Sequence, residues 1–180
     1  MSKQVLIQGL INIGFNIDDF IVVCIGSSRS FLDSVGPRVG TELFNNIPNI
    51  IVYGTINDNC HALSLGSKFK EIAELYPNKK VLAIDACCTR HPEKVGTISL
   101  LKGAIEPGAG VGKKLPKIGD YSIKAFTLDM ASRDLIHDVF LKASCKQKIY
   151  MQHVKNSVDI ISSAIIEVNK LNNQGGILYE

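Results

Sequence analysis

Two aspartates and a glycine-dense loop carry the residue types in this chain best suited to chemistry. Asp85 ends the apolar run Val81-Leu82-Ala83-Ile84, and Asp33 follows the apolar run Phe20–Ile25 by a short polar loop. Two carboxyl groups held together resist ionising together, so one keeps its proton while the other acts as a base. Such a pair can activate water for attack on a carbonyl, or hold a divalent metal that does so. The second reading of Asp33 is plainer: an acid just before a helix caps its N-terminus and meets the positive end of the helix dipole.

The loop Gly108-Ala109-Gly110-Val111-Gly112-Lys113-Lys114 is the other signal. Glycines let backbone approach a ligand closely, and successive N–H groups form an anion-binding nest. The spacing fails the GxxxxGK[ST] phosphate loop and does not follow a strand as GxGxxG would. The loop is therefore expected to line a site, with Gly108, Gly110, Gly112 and Lys113 against substrate. Arg29 on the loop after the first apolar run is expected to help attract an acidic peptide. His61 is read either as a surface or capping residue or as part of the site, and His137 and His153 as structural. Cys87 and Cys88 lie just past Asp85, but free cysteine behaves as a small apolar residue and no histidine is assured as their base. No GxSxG elbow supports a serine nucleophile.

The elements that must position these residues follow from periodicity. Helical spacing is expected over Gln4–Ile13, Arg38–Asn46, His61–Tyr76, Arg133–Ala143 and Gln147–Leu171. Strands are expected at Phe20–Ile25, Ile50–Tyr53, Val81–Asp85, Gly96–Leu101 and Tyr121–Leu128. Continuous apolar runs alternating with helices imply βαβ units, a mostly parallel central sheet and a three-layer α/β/α sandwich. Right-handed crossovers then bring the loops carrying Asp33 and Asp85 to one sheet edge. At 180 residues the chain reads as one domain with a frayed tail over 172–180.

Composition narrows the function. A net charge of +3, with basic clusters only at Lys79-Lys80 and Lys113–Lys117, is too weak for a nucleic-acid footprint. Five cysteines without a CxxC motif indicate free thiols rather than a disulfide framework or zinc ribbon. Neither a signal peptide nor a bilayer-spanning stretch is apparent, so the expected location is the cytoplasm. The apolar stripe on the last helices suits either core packing or a homodimer.

Four segments taken together are unusual: IGSSRSFLDSVGPRVG (25–40), VYGTINDNCHAL (52–63), AIDACCTRHPEKVGTI (83–98) and GAIEPGAGVGKKLPKIGDYSI (103–123). In this order they resemble the YyaC-type spore protease family of endospore-forming bacteria, over most of residues 20–130. The D-x-x-GP, IDA and PGxGVG elements are also similar to those of the germination protease that degrades small acid-soluble spore proteins. More distantly, the chain resembles the hydrogenase maturation proteases. The resemblance implies a phosphorylase/hydrolase-like fold and a catalytic acid pair matching Asp33 and Asp85. It implies a peptidase of sporulation or germination, in the forespore or mother cell, with a protein or peptide substrate such as small acid-soluble spore proteins. Asp85 is expected as base and Asp33 as holder of the shared proton, the two being exchangeable. No cofactor is expected. The alternatives are an inactive ligand-binding regulator, and a metal-dependent maturation protease using Asp33, Asp85 and His61 or His91. The chain departs from the germination protease in its shorter length, in Cys87-Cys88-Thr89-Arg90 after IDA, and in Lys113-Lys114 after the loop.

Overall fold

A computed structural model of the chain describes residues 1–61, 64–107, 117–130 and 145–175. Its centre is a five-stranded sheet in the order β2-β1-β3-β5-β4. The strands are β1 (Phe20–Cys24), β2 (Val52–Tyr53), β3 (Lys80–Thr89), β4 (Ile98–Lys102) and β5 (Tyr121–Asp129). The pairs β1–β2, β1–β3 and β3–β5 are parallel, and β4 closes one edge antiparallel to β5. The helices among the described residues are α1 (Lys3–Asn12), α2 (Val35–Asn46), α3 (Leu65–Leu75) and α4 (Cys145–Asn173).

Strand β1 is buried at all five positions, as its unbroken apolar run demands. Its side chains alternate between two cores. Phe20, Val22 and Cys24 pack with Leu6 and Leu10 of α1, Val35, Val39 and Leu43 of α2, and Ile161 and Ile165 of α4. Ile21, Val23 and Ile25 pack on the opposite face with Leu65 and Ile72 of α3, and with Ile105 and Ile118. The sheet is thus sandwiched between helical layers, the expected α/β/α architecture. Each fully buried Leu or Ile contributes about 1.5–3 kcal/mol relative to exposure.

Several boundaries differ from expectation for identifiable reasons. Helix α2 starts at Val35 rather than Arg38. Pro37 lies in the first turn, where a missing N–H leaves no intrahelical bond unmade. Helix α3 starts at Leu65 rather than His61, because the Ser64 and Leu65 amides both turn back to the His61 carbonyl. Only Val52–Tyr53 of the second expected strand pairs in the sheet. Helix α4 runs to Asn173, past the expected start of the tail, and Asn172 donates to the Phe15 carbonyl at 2.9 Å. The helix expected over Arg133–Ala143 lies outside the described residues.

The difference that matters most for the site is in β3. It does not end at Asp85 but continues to Thr89, because β5 runs beside it as far as Asp129. A bulge between Cys87 and Cys88 breaks the register in this extension. Strand β1, by contrast, stops at Cys24 opposite Ile84. Asp85 is thus interior to its own strand yet one residue beyond the end of its neighbour.

Candidate active site

From β1 the chain passes through α2 to β2 on one side, while β3 lies on the other. That reversal makes the carboxyl ends of β1 and β3 a topological switch point, where open α/β sheets hold their ligands. Asp33 and Asp85 both belong to this place.

Asp33 is set by backbone contacts over the end of β1. Gly26 has φ +138°, and a Cβ there would lie 2.1 Å from the Asp33 carbonyl oxygen. That oxygen accepts the Ser27 amide at 3.1 Å, and the Asp33 amide donates to Ser30 at 3.1 Å. The 3-10 turn Phe31–Asp33 is tied at its side by the Thr127 hydroxyl of β5, 3.5 Å from the Leu32 carbonyl. Helix α2 reaches the strand because Gly36 has no side chain: a Cβ would stand 2.0 Å from the Ile25 carbonyl oxygen. The D-x-x-GP spacing therefore has a steric cause. The acid lies in the turn, and the glycine three residues on lets the helix sit against β1.

The capping alternative for Asp33 is not what forms. Ser34 occupies the N-cap position, with no side-chain capping bond, and its hydroxyl donates to the Phe31 carbonyl at 2.6 Å. Nor is Asp33 pushed down, as a capping carboxylate would be. Burial raises it to about 6, although the Ser27 amide and the neighbouring His61 pull the other way.

Asp85 is only 7% exposed. Burial raises its pKa well above the ordinary value, and the charge of Asp33 raises it further; the Ala86 amide and Lys124 partly oppose both. The charge of Asp33 thus acts on Asp85, and both carboxyl groups are held above the ordinary carboxylate range. Burial is the leading cause at both, and it is deeper at Asp85.

Around the pair stand Cys60, which bridges to Ile25 beside β1, and Cys87 on the same face of β3 as Asp85. Burial pushes the Cys60 thiol to about 11 and the Cys87 thiol to about 12, with Asp85 adding to both. These groups stay protonated at neutral pH, which disfavours the cysteine-nucleophile alternative. His61 is half-buried and acts on Asp33. Arg29 is exposed on the loop, where Ser28 donates its amide to the Asn59 side chain. His91 faces Glu93 at 3.2 Å in an exposed turn. His153 packs on Gly96, whose Cβ would lie 2.5 Å from Nδ1, in keeping with the structural role expected of it. Among the described residues no group of three or more His, Cys, Asp or Glu side chains is gathered to hold a metal. Gly108, Gly110, Gly112, Lys113 and His137 lie outside the described residues. No described helix is long and apolar enough to cross a membrane.

The sequence reading missed Lys124, which sits directly across from Asp85 on β5. A lone lysine within the strand Tyr121–Asp129 was the available signal.

Residues 2–164, which include both acids, match a family described as "Protein of unknown function (DUF1256)". Over 104 residues the chain is 43% identical to "Uncharacterized protein YyaC" of Bacillus subtilis (strain 168). That match covers 57% of this chain and 50% of the relative, so the chain spans about half the length of the curated relative it matches. The switch-point acids, their glycine spacing and these matches agree, and the chain belongs to the DUF1256 family of YyaC-type proteins.

Proposed function

We propose that the chain is a peptidase in which Asp33 and Asp85 jointly activate water for hydrolysis of a peptide bond. The observation that supports this reading is that two acids lie at one switch point, both raised by burial and Asp85 raised further by the charge of Asp33. Asp33 is raised only to about 6, while Asp85 is raised well above the ordinary value by burial and by Asp33 itself. At neutral pH one member is a base and the other an acid, as water attack on a carbonyl requires.

In this mechanism Asp33 takes a proton from water as the water oxygen bonds to the carbonyl carbon. Asp85 gives its proton to the carbonyl oxygen, producing a neutral gem-diol. Asp33 then protonates the amide nitrogen and Asp85 recovers a proton from one hydroxyl. The C–N bond breaks, releasing an acid and an amine and restoring both carboxyl groups. Acid–base assistance of this kind contributes typically about 10²–10⁴-fold per positioned group. Arg29, His61, the glycine loop and Lys113 are assigned to the substrate. The resemblance to the germination protease supports a role in sporulation or germination, on a protein or peptide substrate such as small acid-soluble spore proteins. Such a substrate would be met in the forespore or mother cell.

The test is incubation of the purified chain with unstructured peptides and spore proteins in H₂¹⁸O. New carboxyl termini carrying one ¹⁸O atom per cleavage are expected. Intact peptides after prolonged incubation, or cleavage without label, would remove the proposal.

A further inference from the structure

Three neighbouring strands carry charged residues of the site in a row. Asp33 stands on the turn after β1, Asp85 on β3, and Lys124 on β5 in direct register with Asp85. Paired strands lie about 4.8 Å apart, and register partners leave the same face of the sheet. The Asp85 and Lys124 side chains therefore stand side by side, with Ser99 of β4 in register on the far flank of Lys124. Lys124 is the lone cation of its strand and is half-buried. A half-buried lysine buries its stem and keeps its ammonium free to act on a neighbouring carboxyl. Among the described residues, no carboxylate lies within 4.0 Å of the Lys124 ammonium. Glu106, on which its charge also acts, is held by Lys117. Among the described residues Lys124 is thus not consumed in an ion pair, yet its charge is felt by Asp85 and Cys87.

We infer that Lys124 is a positioning residue for the proton of Asp85, its ammonium offsetting the negative charge left each time that carboxyl gives the proton up. In the hydrolytic step the Asp85 O–H bond breaks, the proton passes to the carbonyl oxygen, and the resulting carboxylate waits beside Lys124 until it takes a proton back. Without a cation there, a carboxylate so deeply buried and facing Asp33 would form at a much higher cost. The groups acting on Asp85 are Asp33 from the turn, the Ala86 amide of β3 and Lys124 from β5, while Asp85 itself acts on the thiols of Cys60, before α3, and Cys87 of β3. His61 acts on Asp33. The two thiols stay neutral, so Lys124 supplies the fixed positive charge among them.

The consequence for turnover rests on the hydrolytic reading above; the effect on Asp85 does not, and the experiment separates the two. The full chain, labelled with ¹³C at its aspartate carboxyls, is titrated by NMR as wild type, Lys124→Met and Lys124→Arg. The Asp85 signal is expected to titrate at higher pH in Lys124→Met and close to wild type in Lys124→Arg. An unchanged Asp85 titration in folded Lys124→Met overturns the inference. If that variant does not fold, Lys124→Gln makes the same comparison and is read in the same way. Peptide cleavage on the same samples is expected to show kcat about tenfold lower in Lys124→Met, KM within twofold, and recovery in Lys124→Arg. A raised KM with unchanged kcat also overturns it, since Lys124 would then bind substrate and not govern the proton. A shifted Asp85 titration in a chain that cleaves nothing removes the hydrolytic reading and leaves the inference standing.

Discussion

Gly26 and the Asp33 carbonyl oxygen are so close that a Cβ at position 26 would lie 2.1 Å from that oxygen. The acid therefore owes its position to a missing side chain as much as to any hydrogen bond. Gly26 also holds φ at +138°, a conformation that L side chains rarely adopt. Gly26→Ala should destabilise the chain by about 2–4 kcal/mol, since neither the strain nor the backbone clash can be relieved by a rotamer change. Urea unfolding measures this directly. A loss under about 0.5 kcal/mol would mean the turn does not hold Asp33 as described.

Ionising the acid pair works against the fold. In the unfolded chain both acids ionise near their ordinary value of 3.8, whereas folded Asp33 keeps its proton up to about pH 6 and Asp85 is also raised well above 3.8. Between those values the folded state binds more protons than the unfolded state, so the pair's contribution falls as pH rises from about 4 through 6. Asp33→Asn should therefore match wild type near pH 4 and exceed it by about 1–3 kcal/mol at pH 7.5. Denaturant unfolding at the two pH values decides it. A variant less stable than wild type at pH 7.5 would contradict a raised Asp33.

Cys87 shares the face of Asp85, and its thiol is pushed up to about 12. Cys87→Ala should keep at least about half of the wild-type cleavage rate, because the thiol is neither ionised nor needed as nucleophile. Steady-state cleavage rates test this. A loss of about a hundredfold or more would reinstate the thiol as the attacking group.

Much of the frame could be read in the sequence because strands buried on both faces leave unbroken apolar runs. Phe20–Cys24 and Val81–Ile84 are of this kind. That Asp33 and Asp85 come to one sheet edge could be read because D-x-x-GP and IDA flank those runs. What could not be read depends on contacts between distant segments. The extension of β3 through Cys87, Cys88 and Thr89 depends on β5 running alongside, and nothing local in Ala86–Thr89 requires it. Asp33 looks like an N-cap in the string because a helix follows, but Gly26 and Gly36 shift the turn so that Ser34 takes that position. The unequal burial of the two acids was hidden for a similar reason, since two aspartates are identical as letters. Lys124 acquires meaning only from register, a property of paired strands.

The central claim is that the two carboxyl groups work as one unit, and the cleavage rates of Asp33→Asn, Asp85→Asn and the double variant test it most directly. Each single variant should lose about a thousandfold or more in kcat/KM, and the double variant should be no slower than the slower single one, as for residues acting together. Either single variant cleaving at the wild-type rate would contradict it.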